Sequence, residues 1–124
     1  MSEQHDTTKT YAGGCHCGAV RFQAAIPPPA SALECNCSHC GKKGLLLVFI
    51  PASACTLESG GDALTEYRFN KHHIAHQFCN VCGVQPLAYG TDPSGAPTVA
   101  LNVRCIDDID LSRVERQPFN GKDM

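Results

Sequence analysis

Three cysteine clusters constrain this chain more than any other feature: Cys15-His-Cys17-Gly18, Cys35-Asn-Cys37-Ser-His-Cys40-Gly41 and Cys79-Asn-Val-Cys82-Gly83. They hold seven of the nine cysteines in 124 residues. In C-x-C the two side chains lie on the same side of an extended backbone, so both sulfurs reach one ion. In C-x-x-C-G the chain turns tightly about the metal, and the glycine supplies the positive φ that such a turn needs. Zinc takes four soft ligands in a tetrahedron at about 2.3 Å, and thiolate sulfur is its usual structural partner. Residues 1–10 carry no apolar stretch and no signal-peptide pattern. The longest apolar run, residues 45–50, is far shorter than a membrane span. The expectation is therefore a cytoplasmic protein whose cysteines bind metal, not a secreted disulfide framework, and an odd cysteine count agrees with that.

Counting ligands suggests two ions. Cys15 and Cys17 joined with Cys79 and Cys82 make a closed four-thiolate site. Cys35, Cys37 and Cys40 then form a three-thiolate site with an open fourth position. Closed sites are structural, whereas three protein ligands resemble a catalytic site. Spacing leaves another partition open, a ribbon of Cys37 and Cys40 with Cys79 and Cys82, although its 38-residue gap is longer than such ribbons use. His16 and His39 sit inside the clusters, where residues between paired ligands normally point away from the ion. His76, three residues before Cys79, is the best outside candidate for a fourth ligand or a proton shuttle. With His72 and His73 it forms a local group that reads more simply as solvated or hydrogen-bonded.

The length fits one domain, expected over residues 11–124 after a flexible polar stretch at residues 1–10. Aromatic residues make up only 6% and Trp is absent, so the core is thin and metal crosslinks would support it. The pattern predicts a mainly β protein with short strands. Residues 20–24 follow a turn at Gly13-Gly14, and the triple proline at 27–29 must be an extended loop. Residues 45–50, ended by Pro51, suit a buried strand; 55–58, 64–69 and 85–90 suit further strands, and 74–78 leads into the third cysteine cluster. Residues 92–95 form a turn. Residues 99–105 show the clearest alternation, with Val99, Leu101, Val103 and Cys105 on one side and Asn102 and Arg104 on the other. Cys55 and Cys105 fall on apolar faces and read as core residues. A single helical turn is expected over 107–111, and no long amphipathic helix appears.

The formal charge is −2. Seven thiolates binding two Zn²⁺ would take it to about −5. Neither value gives an electrostatic reason to bind nucleic acid or an anionic membrane.

Gly14-Cys-His-Cys-Gly-Ala-Val-Arg-Phe22, Glu34-Cys-Asn-Cys-Ser-His-Cys40, Phe78-Cys-Asn-Val-Cys-Gly-Val-Gln-Pro-Leu87 and, near the end, Asn102-Val-Arg-Cys-Ile-Asp107 resemble the glutathione-dependent formaldehyde-activating family, which includes centromere protein V. The resemblance runs over residues 13–111. It implies the β-tent fold, small antiparallel sheets organised around zinc. It also implies that Cys15, Cys17, Cys79 and Cys82 hold a structural zinc and that Cys35, Cys37 and Cys40 hold a second. The implied activity is a carbon–sulfur lyase run in reverse, adding glutathione to formaldehyde to give S-hydroxymethylglutathione. Coordination deprotonates a thiol, so an open position on the second zinc would present the glutathione sulfur as a nucleophile. Three thiolates make that zinc a weak Lewis acid, and the uncatalysed addition is easy. The carboxylates of glutathione would want cations, for which Arg104 and Lys42 are the first candidates and Lys43, Arg68 and Lys71 the others. The alternative is a zinc-stabilised binding module without catalysis. Thiol redox sensing is a weaker third reading.

Overall fold

The computed structural model describes residues 8–36, 38–68 and 74–119. The strands are β1 (Lys9–Gly14), β2 (Arg21–Ile26), β3 (Ser31–Cys35), β4 (Leu47–Pro51), β5 (Cys55–Ser59), β6 (Leu64–Tyr67), β7 (Ala75–Cys79), β8 (Leu87–Thr91), β9 (Pro97–Asn102) and β10 (Glu115–Phe119). One short helix, α1 (Ser38–Lys43), follows β3, and single 3-10 turns occupy Ala52–Ala54, Gly61–Ala63, Val103–Cys105 and Leu111–Arg113. The strands form two sheets, one ordered β1-β2-β5 and one ordered β10-β3-β4-β9-β8-β7-β6. The mainly β expectation is met. The larger sheet is not wholly antiparallel, because β10 runs parallel to β3. Pro118 costs nothing there, since β10 is an edge strand and fully exposed.

The strand registers place the two faces of the larger sheet in different surroundings. Ile50, Leu87, Val99 and Leu101 turn toward the smaller sheet and enclose Phe22, Ala24 and Ile26 of β2 in the main core. Alternate residues turn the other way. Pairing aligns Phe49, Ala100, Ala88, His76 and Tyr67 in one row across β4, β9, β8, β7 and β6. On this face Cys40 and Leu45 pack against Leu47, Ala88 and Ala100, with Leu33 and Cys35 alongside. The two alanines leave room for α1 to lie close to the sheet. Phe49 and Tyr67, at the two ends of the row, stay exposed (58% and 48%).

Several local expectations need correction. Gly13 and Gly14 are not a turn but the buried end of β1. They are glycines because the chain is crowded: a Cβ on Gly13 would lie 2.3 Å from the Cys105 carbonyl oxygen, and one on Gly14 2.0 Å from that of Val20. β1 begins at Lys9, which pairs with Ile26, so the last two residues of the polar stretch 1–10 belong to the ladder. The run 45–50 becomes a strand only from Leu47, takes in Pro51 and exposes Phe49. β9 ends at Asn102 because the Asn102 side chain accepts from the Arg104 N–H at 3.1 Å and starts a 3-10 turn. Asn102 is buried and its amide also donates to the Gln85 carbonyl at 3.0 Å, so it neither faces solvent nor pairs with Arg104 on an outer face. The expected turn over 107–111 sits at Leu111–Arg113 instead, capped by Asp110. Phe69, in the expected strand 64–69, lies outside the described residues. Cys55 and Cys105 are partly buried and pack against the main core.

Candidate metal centre and the neighbouring histidine face

Cys15 and Cys17 follow β1 of the smaller sheet, while Cys79 closes β7 of the larger one and Cys82 sits in the turn beyond. Their four sulfurs lie within 4.8 Å of one another. The Cys15–Cys17 and Cys17–Cys79 sulfur separations are 3.6 and 3.7 Å. A regular tetrahedron with zinc–sulfur bonds of about 2.3 Å has edges of about 3.8 Å, so the cluster already has the dimensions of a four-thiolate zinc site. Among the described residues, Cys79 and Cys82 gather with Cys15 and Cys17.

The local backbone is folded to serve sulfur. The Val20 N–H donates to Cys15 Sγ at 3.3 Å and the Val81 N–H to Cys79 Sγ at 3.4 Å. Main-chain bonds from Cys15 N to Val20 O and from Cys79 N to Val84 O close the two loops. Gly83 takes φ 86°, as the C-x-x-C-G pattern predicts. The middle cluster departs from that pattern: Gly41 continues α1, and the left-handed residue is Gly44, at φ 66° where the helix ends. Backbone hydrogen bonds at Val84 and Cys17 hold Cys82 down at about 6. Burial pushes Cys15 up, but the Val20 N–H and the thiols of Cys17 and Cys79 outweigh it and lower it. The Ala19 N–H pulls Cys17 down, yet burial and its three sulfur neighbours drive it to about 11. Four thiols this close cannot all shed their protons without a cation, and a divalent ion removes the conflict.

Of the second expected set, Cys35 ends β3 and Cys40 lies in α1; both join one small cluster on the histidine-bearing face of the larger sheet. Cys37 lies outside the described residues, as do Lys71, His72 and His73. His16 is exposed. Lys42 stands exposed in the last turn of α1. Arg104 donates from Nε to the Gly44 carbonyl at 3.0 Å, tying the turn after β9 to the end of α1. Arg68 pairs with Glu66.

His76 lies outside the four-sulfur cluster, on the sheet face against which Cys40 packs. It is buried beside His39, with ring centroids 4.0 Å apart, and His39 stacks on Tyr67 at 5.5 Å. His39 Nδ1 lies 4.0 Å from Cys40 Sγ. Gln85 and Tyr67, which sequence reasoning did not single out, complete this face. For Gln85 the available signal was its place directly after the Cys82-Gly83 turn, on the strand side of the metal loop. Burial, then the nearby charges of His39 and Lys43, hold His76 down at about 4 against an ordinary 6.5. The unfolded chain therefore binds this proton first, and the contribution of His76 to stability is complete above pH 6.5 and declines toward pH 4. Denaturation midpoints measured across that window should fall with pH in the native protein and fall less in His76→Gln at equal metal content. Parallel slopes would refute the assignment.

Among the described residues, no helix is long and apolar enough to cross a membrane. Comparison with solved structures finds a crystal structure of a Rhodobacter sphaeroides protein, a structural-genomics target, at TM-score 0.73 and 27% identity. The match covers 86% of this chain and 99% of that one. Residues 10–120 fit the family described as glutathione-dependent formaldehyde-activating enzyme. With the match spanning nearly the whole chain and the cysteine cluster in place, the chain belongs to the glutathione-dependent formaldehyde-activating enzyme family.

Proposed function

We propose that this protein is a zinc-dependent carbon–sulfur lyase-type protein that joins glutathione and formaldehyde as S-hydroxymethylglutathione, or handles a related thiol adduct in the cytoplasm. The family match over residues 10–120 is the observation that carries this reading. In it, Cys15, Cys17, Cys79 and Cys82 hold a structural zinc, and Cys35, Cys37 and Cys40 hold a second ion of catalytic type. The donor chemistry fits, since all seven are thiols, zinc's preferred soft ligands, and the described four-sulfur cluster has zinc dimensions. A zinc ion at the second site would supply the positive charge that keeps an incoming thiol ionised near neutral pH.

The chain's own residues set the remainder. Ala88 and Ala100 let Cys40 approach the sheet, on the face that carries His76 with His39 beside it. Lys42, exposed in the last turn of α1, is the cation best placed for a glutathione carboxylate. Arg104, engaged with Gly44, serves that role only through its terminal nitrogens.

Metal analysis should return two zinc ions per chain. Adduct formation should run faster with the protein than without it, and glutathione should perturb one zinc and leave the other. Two zinc ions indifferent to glutathione, with formaldehyde consumed no faster than in buffer, would defeat the proposal.

A further inference from the structure

Where β3 and β10 end, the larger sheet leaves an open cleft of about 450 Å³, lined by Glu34, Cys35, Asn36, Gly41, Pro118 and Phe119. That volume lies within the range of small-molecule sites. The parallel pairing of β10 with β3 builds it, setting Pro118 beside Glu34 and Phe119 beside Cys35. Successive residues of a strand face opposite ways, so these two rows wrap around the end of the sheet. The Asn36 N–H donates to the Phe119 carbonyl at 3.1 Å and ties the two strand ends together. Gly41 of α1 brings only backbone to the remaining wall.

Glu34 is the one charged residue of the six, and Arg116 Nη1 lies 4.0 Å from its Oε2, at the outer limit of an ion pair. The Arg116 and Glu34 side chains are 42% and 51% exposed, and a pair so long and so wet contributes little to stability. Exchanging it for the charges of a ligand therefore costs little. A carboxylate beside a guanidinium matches the α-amino-acid head, whose ammonium and carboxylate share one carbon. Pro118 and Phe119 offer apolar surface to the methylenes beyond such a head.

We propose that this cleft binds the free α-amino-acid end of the thiol substrate, with Glu34 taking its ammonium and Arg116 its carboxylate. The assignment deepens the glutathione reading and rests on it. Glutathione carries such a head at its γ-glutamyl end, two methylenes before its first amide. Cys35, of the second thiol set, lines the same cleft, so a thiol anchored at Glu34 lies alongside that set. Lys42, next to Gly41 in α1, remains for the glycyl carboxylate at the other end. Glu34 and Arg116 then meet the head and not the reacting sulfur, which makes them specificity residues.

S-methylglutathione separates the head from the sulfur, because a thioether cannot supply a thiolate. Calorimetric titration of the zinc-loaded protein should show it binding, with NMR shift changes at Phe119 and Gly41. Glu34→Gln should weaken it roughly tenfold, and Arg116→Gln to a similar degree. N-acetyl-S-methylglutathione, which lacks the ammonium, should bind the native protein that weakly already and be indifferent to Glu34→Gln. Both side chains are exposed, so both variants should fold and keep their zinc. No binding of S-methylglutathione, equal affinity for the capped peptide, an unchanged affinity in Glu34→Gln, or shifts that bypass Phe119 and Gly41 overturns the assignment. With formaldehyde present, Glu34→Gln should raise KM for glutathione and leave kcat. A protein that binds S-methylglutathione as expected but does not accelerate adduct formation keeps this site and loses the reaction. One that accelerates it with equal KM for glutathione and N-acetylglutathione keeps the reaction and loses the site.

Discussion

Cys79→Ser is expected to lose the metal of the four-sulfur cluster and, with it, cooperative folding. Cys79 is fully buried at the end of β7, and its sulfur lies 3.7 Å from Cys17 across 62 residues of sequence. Around the cluster the apolar support is slight: Val20 is the one other fully buried side chain among the described residues there, with Ala19, Leu57, Ala63, Leu64 and Val84 only partly buried. Structural zinc sites contribute about 10–16 kcal/mol in small domains at neutral pH, which equals or exceeds the ~5–15 kcal/mol by which whole domains are stable. A serine oxygen is a poor fourth ligand, and three thiolates without it bind far more weakly. Metal content and circular-dichroism melting read the outcome, with Cys55→Ser as the control, since Cys55 packs on the main core outside the cluster. A Cys79→Ser protein that keeps its metal and its melting transition would show that the cluster is not what holds the two sheets together.

Phe22→Ala should cost about 3–5 kcal/mol, the usual range for emptying a buried aromatic site. Phe22 is 1% exposed, on the face of β2 that meets the larger sheet, and is the largest fully buried side chain among the described residues. The site cannot collapse cheaply. Its ring tip occupies the space above Gly13, 2.5 Å from where a Cβ there would stand, and the backbone at Gly13 is already pressed against Cys105. Urea denaturation should show the midpoint falling sharply with the slope unchanged. A loss below about 1 kcal/mol would mean that the two sheets do not share this core.

The cysteines made the metal cluster legible because ligand spacing is local and its geometry is fixed by the ion. Strands β2 and β5 were visible for a similar reason: one apolar face each, read at period two. The missed elements lack that signal. β10 (Glu-Arg-Gln-Pro-Phe) is exposed throughout, and β3 carries a single fully buried residue, Ala32, so neither shows an apolar face. β1 ends in two glycines whose reason is a long-range approach to Cys105 and Val20, which no local pattern encodes. In residues 99–105 the alternation misled, because β9 is buried on both faces and its end is set by the Asn102 side chain. α1 has six residues and a central glycine, too short for a helical period to register. The hydrogen bonds of Gln85 to Lys43 and His76 link the loop before β8 to α1 and β7, and only the assembled sheet brings these residues within reach.

The separation of the two halves of the four-sulfur cluster has a kinetic consequence. Cys15 and Cys17 leave the ribosome long before Cys79 and Cys82, and neither pair alone satisfies a tetrahedral ion. The first pair must remain reduced and unclaimed until β7 has been synthesised and docked. Closing a loop of this length adds an entropic cost of only about 4 kcal/mol, but it makes the closing contact a late and slow event. An ion bound by these four thiols would therefore be captured near the end of folding, after an interval in which oxidation of the nascent thiols competes with assembly. Yield of native protein during expression should accordingly depend more on reducing conditions and zinc supply than the stability of the finished molecule would suggest.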